Sequence, residues 1–200
     1  MYAPSMHPAI FRAGADGLWK VERVAAVRGE SLPDAQRLYV QLGAIQVAPG
    51  DSWTLRGVAG HERYTERSEH DQLRAVSPPL GRPEATSAAL IPIRKSPAWW
   101  ALSQDERRAI FETKSHHIQA SLSLLPRVAR RLYHSRDLGE PFDFLTWFEF
   151  APEHRTAFEE LVAMLRSTEE WTFVDREVDI RLSRAGRIEA PDICQSTKRL

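Results

Sequence analysis

The chain has 200 residues, 42% of them hydrophobic, which is enough apolar material for one large domain or two small packed halves. Its 27 basic and 27 acidic residues balance, so charge gives no case for binding nucleic acid or an anionic membrane. Cys194 is the only cysteine, which excludes an intramolecular disulfide and a thiolate metal cluster.

The sequence shows no targeting signal. Residues 1–8 contain no basic segment followed by an apolar one, as a secretory signal would. No apolar run approaches the roughly 20 residues that a membrane-spanning helix needs. We therefore expect a soluble cytoplasmic protein without membrane partners.

Strand signals in the first part of the chain are weak. Residues 1–17 are expected to form a loose lead-in, and the alternation of residues 18–27 predicts a strand. Residues 33–42 are expected to form a short helix with proline first, and residues 53–64 a further strand. Residues 63–76 are charged and read as helical or irregular.

A turn-rich segment, Ser-Pro-Pro-Leu-Gly-Arg-Pro at residues 77–83, is the strongest break in the chain. It predicts an N-terminal shortened half over residues 1–84 and a second half over residues 85–186. Residues 187–200 are polar and are expected to form a flexible tail.

The second half has a regular order of elements. The patterns predict strands at 88–93, 127–135, 142–150 and 171–182, and helices at 103–125 and 152–168. The order strand, helix, strand, strand, helix, strand is the ferredoxin-like split βαβ arrangement. The first half is a weaker version of it, so the fold class predicted is α+β with two ferredoxin-like halves.

His117 is the first candidate for chemistry. It shares a helix face with Ile110 and Leu124, spaced seven apart, and is therefore expected on the buried side. An ordinary core histidine is one interpretation. The small Ala120 and Ser121 nearby leave room for a flat macrocycle, and a lone imidazole holds iron in globins and peroxidases.

Arg130 follows on the next predicted strand. Nearby Arg127, Arg131 and Arg136 favour an ordinary solvated side chain. If Arg130 points inward, its buried charge needs an anion as partner.

Two adjacent carboxylates, Glu169 and Glu170, precede the last predicted strand. Solvation at the surface is one interpretation. The other is that one of them accepts the Nδ1–H of His117 and makes its imidazole more electron-donating.

Lys95 and Tyr64 are candidates for binding haem propionates, although either fits an ordinary surface position equally well. Large apolar side chains that build the core or a pocket wall are expected at Trp99, Trp100, Trp147 and Trp171.

Several separated motifs together resemble the chlorite dismutase family, in particular its short-chain form. They are Ile-Arg-Lys-Ser-Pro-Ala-Trp-Trp at 93–100, Ser-His-His-Ile at 115–118, Val-Ala-Arg-Arg-Leu-Tyr-His-Ser at 128–135, Phe-Asp-Phe-Leu-Thr-Trp-Phe-Glu at 142–149 and Glu-Glu-Trp at 169–171. The resemblance is close over residues 86–184 and looser over 18–80.

The resemblance implies a homodimeric enzyme of the dimeric α/β-barrel type, with one haem b per subunit in the C-terminal half. It implies decomposition of chlorite to chloride and dioxygen through a ferryl species and hypochlorite, followed by O–O bond formation. His117 matches the proximal iron ligand, Arg130 the distal arginine and Glu170 the carboxylate behind the ligand. Lys95, Trp99 and Trp100 match residues around the haem.

The same superfamily includes coproheme decarboxylases and dye-decolourising peroxidases. The decarboxylases resemble this chain around residues 91–95, but they carry a reactive tyrosine where Ile91 stands and lack the distal arginine. Such a decarboxylase, or another haem peroxidase, is the alternative function. A non-haem ferredoxin-like binding module, with His117 in its core, is the third.

Overall fold

The structure is a computed structural model that describes residues 8–43, 50–59, 65–122 and 124–184. Tyr64 lies outside the described residues, as do positions 60–64 of the strand predicted over 53–64 and the whole of the predicted tail.

In the part of the chain that the structure describes, eight antiparallel strands form one closed barrel, in the order β1-β3-β2-β8-β5-β7-β6-β4. The strands are β1 (Ala9–Gly14), β2 (Trp19–Arg28), β3 (Arg37–Leu42), β4 (Trp53–Ala59), β5 (Ser87–Lys95), β6 (Val128–His134), β7 (Phe144–Phe150) and β8 (Val174–Ser183).

The barrel consists of two four-stranded sets with the same internal order. The first set runs β4-β1-β3-β2 and the second β8-β5-β7-β6. If the strands of each set are numbered by their position along the chain, the spatial order in both sets is fourth, first, third, second. This is the ferredoxin-like order, and it agrees with the predicted α+β class. The two sets join at the β2–β8 and β4–β6 seams, so the barrel has no free sheet edge.

Side-chain alternation divides the C-terminal sheet into an inner and an outer face. Leu90 and Trp147 point into the barrel, where they pack with Phe11 and Leu38 from the first set. The outer face of the same strands carries a separate apolar cluster that includes Ile91. Both faces are therefore buried, one by the barrel interior and the other by helices.

Among the described residues, five α-helices lie outside the barrel: α1 (Arg67–Val76), α2 (Pro97–Ala101), α3 (Gln104–Arg108), α4 (His117–Leu122) and α5 (Arg155–Arg166). Helix α5 packs Phe158 and Leu161 onto the outer face of the sheet. Helix α1 places Leu73 against Ile118 of α4. None of the described helices has the length and apolar character needed to cross a membrane.

Two predictions for the N-terminal part are wrong. The expected lead-in over 1–17 contains β1, whose Ala9, Phe11 and Ala13 face the barrel core. The expected short helix over 33–42 is instead strand β3, which pairs with β1 and β2. Pairing on both sides outweighs the weak local preference that proline gave to a helix.

The long helix predicted over 103–125 is also wrong as one element. It is divided into α3, a π-helix at Ala109–Lys114, and α4. The predicted strand 171–182 begins later, at Val174, because Glu169–Phe173 forms a 3₁₀ helix. Both departures occur beside the cavity described below.

The β4–β6 seam requires a glycine at position 57. A Cβ atom there would lie 2.6 Å from the Cβ of Tyr133 and 2.9 Å from the Oγ of Ser135. Gly57→Ala should therefore lower the free energy of unfolding by about 1–3 kcal/mol, measured by urea denaturation. Gly14→Ala is the control, since its nearest neighbour is a movable Asp51 oxygen at 3.3 Å. Equal losses in both variants would contradict the close packing of the seam.

Candidate functional site

A cavity of about 1050 Å³, including its open mouth, lies between the outer face of the C-terminal sheet and the helices. Its sheet wall is largely apolar and includes Ile91, Ile93, Arg130, Leu132, Thr146 and Phe148. Its helical wall includes His117 and Ser121 of α4 and Val162 and Leu165 of α5.

His117 belongs to a buried three-residue chain. Its Nδ1 lies 2.8 Å from Oε2 of Glu170, and Oε1 of Glu170 accepts a hydrogen bond of 2.8 Å from Nζ of Lys95. The side chains of Glu170 and Lys95 are only 7% and 3% exposed. Glu170 is therefore shielded from water and has one donor for each carboxylate oxygen.

Electrostatics keep Glu170 ionised. Burial alone would raise the pKa of this carboxyl, but attraction to Lys95 and His117, with their hydrogen bonds, lowers the pKa to about 2. A carboxylate only accepts hydrogen bonds, so Nδ1 of His117 is the donor in this pair. In the neutral imidazole, Nε2 then carries the lone pair and is available as a ligand.

Aromatic rings enclose the ammonium group of Lys95. Its Nζ lies 4.6 Å from the ring centroid of Trp99 and 5.4 Å from that of Trp171. Cation–π contacts of this kind replace part of the hydration that a buried ammonium loses. The ammonium therefore contacts Glu170 and the two indole rings.

The backbone of Glu170 is held as well. Its N–H donates to Oγ of Ser115 at 3.2 Å, which ties the 3₁₀ helix before β8 to the segment that leads into α4. The separation of His117 and Glu170 is thus set by a backbone contact in addition to the side-chain pair.

Strand alternation places Arg130 in the cavity. Arg130, Leu132 and His134 share the outer face of β6 and all line the cavity. The register pairs Arg130 with Phe148 and Leu132 with Thr146 across to β7. A guanidinium thus stands in an apolar wall, where it is suited to bind a small anion.

A family model described as chlorite dismutase matches residues 26–185, which is most of the chain. The chain belongs to the chlorite dismutase family. The family resemblance identified from the sequence motifs is therefore confirmed.

Solved structures of chlorite dismutases share the fold. The dimeric chlorite dismutase of Nitrobacter winogradskyi is 62% identical, with a TM-score of 0.82 over 88% of this chain and 99% of that chain. The chlorite dismutase of Candidatus Nitrospira defluvii in complex with imidazole is 21% identical, with a TM-score of 0.62 over 92% and 93% of the two chains. At that identity the second match supports the fold alone.

A curated relative adds a shorter match. The chlorite dismutase of Ideonella dechloratans is 40% identical over 62 residues, which is 31% of this chain. The match spans only 20% of that relative's length.

The cavity brings most of the predicted site residues together. His117, Arg130, Glu170, Lys95 and Trp99 all line it. Of the two adjacent carboxylates, Glu170 contacts His117, whereas Glu169 forms a surface ion pair with Lys114.

Trp100 is not among the cavity-lining residues. Its indole N–H donates to Asp143 at 3.2 Å, and its ring lies between Phe144 and the guanidinium of Arg136. Adjacent residues on a short helix point in different directions, which separates Trp100 from Trp99.

Sequence reasoning missed several cavity residues, among them Phe111, Thr146 and Glu177. Glu177 accepts a hydrogen bond of 2.7 Å from the indole of Trp171 and is also paired with Arg166. As a glutamate in an alternating strand, Glu177 would be expected on a solvent-exposed face, so the local sequence does not indicate that it is buried. The position of Thr146 could have been predicted, because it lies between Leu145 and Trp147 in a predicted strand and therefore points to the opposite face of the sheet.

Acid should weaken the fold through Glu170. Its pKa is lowered from an ordinary value of 4.5 to about 2, so its stabilising effect is complete above pH 4.5 and lost as the pH falls towards 2. Glu170→Gln should cost about 3 kcal/mol at pH 7, since it leaves Lys95 buried without a counter-charge. The difference in free energy of unfolding between wild type and Glu170→Gln, measured by urea denaturation, should be smaller at pH 3 than at pH 7.

Glu169→Gln provides the matched control, because its carboxylate forms only an exposed pair with Lys114. That change should cost less than about 1 kcal/mol. If Glu170→Gln lowers the free energy of unfolding equally at pH 3 and pH 7, the stabilising role of the buried ion pair is contradicted.

Proposed function

We propose that this chain is a haem b enzyme that decomposes chlorite to chloride and dioxygen. The observation that carries the proposal is the hydrogen bond between Nδ1 of His117 and Glu170, which leaves Nε2 available at the wall of the cavity. Membership in the chlorite dismutase family supports the same conclusion.

The residues present fit a haem. The cavity has a broad apolar lining, as a porphyrin requires, and a single imidazole on its helical wall. A carboxylate behind the imidazole makes it a stronger electron donor and fixes its ring orientation. His117 would hold the iron, and Glu170 with Lys95 would maintain the state of His117.

The sequence made Lys95 a candidate for binding a haem propionate. Its ammonium is bound to Glu170 and packed against Trp99 and Trp171. We therefore propose that Lys95 keeps Glu170 charged, and not that it binds a propionate. Trp99 and Trp171 form the wall around this pair.

Bound haem would supply the redox chemistry that moves an oxygen atom from chlorite and joins it to the second oxygen. Chlorite, ClO₂⁻, contains all the atoms and the charge of the products Cl⁻ and O₂. The reaction therefore needs no external electron donor.

Arg130 is the proposed catalytic residue. Substrate, hypochlorite and chloride are all anions, and a guanidinium in an apolar wall attracts an anion more strongly than one in water does. Arg130 would bind chlorite on entry and keep a hypochlorite fragment in the cavity until oxygen is formed. The neighbouring Leu132 and Phe148 give the guanidinium an apolar setting.

A homodimer is the proposed assembly. The Nitrobacter winogradskyi relative is described as dimeric, and this chain matches 99% of its length at 62% identity.

His117→Ala should abolish stable haem binding, because it removes the axial nitrogen. Wild-type protein loaded with haem should show a Soret band and evolve oxygen when chlorite is added, as followed with an oxygen electrode. Exposed His116 gives the matched control, and His116→Ala should still bind haem. A Soret-active wild type that yields no oxygen would refute the activity.

Arg130→Ala should bind haem but slow oxygen production by roughly 100-fold, the effect typical of losing one preorganised charge contact. Released hypochlorite should then become detectable with a chlorination trap. Arg131→Ala, at the exposed position next along β6, should leave both readings unchanged. Wild-type turnover without trapped product in Arg130→Ala would remove Arg130 from the mechanism.

A further inference from the structure

The segment before His117 has an unusual backbone. Residues Ala109–Lys114 form a π-helix, a form that is frequent at functional sites. His116 follows with φ of +48°, and it is the one non-glycine residue with positive φ among the described parts of the chain. Helix α4 then begins at His117 itself. The helix axis is thus broken and restarted at the proposed iron ligand.

Glu112 caps the restarted helix. The backbone N–H of Ile118 donates to Oε2 of Glu112 at 2.7 Å, and that of Gln119 approaches Oε1 at 3.4 Å. These N–H groups are the ones that an N-cap side chain normally satisfies. The N-cap position here is His116, which is exposed, so Glu112 supplies the oxygen from four residues earlier.

The same segment also holds the ring of His117. Phe111 stacks on the imidazole, with ring centroids 4.3 Å apart and planes inclined by 23°. Glu170 binds Nδ1, and Ser115 binds the backbone of Glu170. The ring is therefore constrained at one face and at one nitrogen, while Glu112 constrains the backbone from which it projects.

We propose that Glu112 is a positioning residue that sets the direction in which His117 presents Nε2 to the cavity. It acts through the backbone of α4 and touches neither ligand nor substrate. Without its carboxylate, the first turn of α4 would lose its cap, and the imidazole would no longer meet Phe111 and Glu170 together. The inference deepens the proposed function, because it rests on His117 as the iron ligand.

The experiment compares Glu112→Ala and Glu112→Gln with Glu106→Gln. Glu106 is the matched control: it completes the capping box of the preceding helix α3 through the N–H of Ser103, at 2.7 Å, and does not line the cavity. Each variant is loaded with haem, and the ferrous iron–histidine stretching band, haem affinity and thermal unfolding are measured.

Glu112→Ala should weaken haem affinity by about tenfold, the lower end of effects seen for residues that orient a ligand. It should also shift or broaden the iron–histidine band. Glu112→Gln keeps one amide oxygen as acceptor and should show a smaller change. Glu106→Gln should lower thermal stability but leave the band and affinity at wild-type values. If Glu112→Ala behaves like Glu106→Gln, Glu112 is only a structural cap and the proposal is wrong.

A measurement on haem-free protein separates this inference from the proposed function. The Nδ1 proton of His117, held against Glu170, should give a distinct downfield NMR signal in the wild type. That signal should be lost in Glu112→Ala, be reduced in Glu112→Gln and be kept in Glu106→Gln. Its full persistence in Glu112→Ala would overturn the positioning role, whereas failure of wild-type protein to bind haem would overturn only the proposed function.

Discussion

The buried carboxylate of Glu170 is the group on which the site depends. Removing a carboxylate from water costs several kcal/mol, and this cost is offset only when both oxygens have strong donors. Lys95 and His117 supply those donors from two other elements of the fold. The same bonds that make burial of Glu170 tolerable also fix which nitrogen of His117 carries the proton. Stability of the fold and the position of the His117 proton therefore depend on the same interactions.

The barrel explains how three distant residues meet. Strands β5 and β8 are neighbours in the sheet, and the register places Lys95 opposite Val174. The 3₁₀ helix that contains Glu170 leads directly into β8, so Glu170 arrives beside the end of β5. A shift in register between Arg94 and Lys95 lies at this point. A bulge or irregularity of this kind can redirect a side chain near a functional site.

Strand-forming residue types made part of the C-terminal half predictable. Strands β6 and β7 lie within a few residues of the predicted bounds, and β7 consists mainly of aromatic residues and threonine, which favour strands. The pairing of Lys95 with Glu170, 75 residues apart, has no such local signal. The sequence made both residues candidates for a haem site, but it could not tell that they bind each other.

His117 lies on the inner side, as the sequence predicted, but the prediction rested on a continuous helix that the structure does not contain. Spacing of seven from Ile110 placed it on the inner face of one continuous helix. The structure does place His117 at the cavity, but the π-helix and His116 interrupt the helix between those residues. Regular spacing assumes 3.6 residues in every turn, and a wider turn breaks that assumption. The carboxylate of Glu112 caps α4 by accepting from the N–H of Ile118, six residues later in the chain. This spacing fits no familiar capping pattern.

The walls of the cavity support the proposed chemistry on a small anion over oxidation of the protein. Decarboxylases of the superfamily carry a reactive tyrosine where this chain has Ile91, and no tyrosine is found among the described lining residues. Trp99 and Trp171 are the oxidisable rings nearby, but both face the ammonium of Lys95. Removing an electron from either indole would place a new positive charge beside an existing one, which is unfavourable in a poorly hydrated site. Lys95 is paired with Glu170, whereas Arg130 lines the sheet wall, where the proposed anionic substrate would meet it.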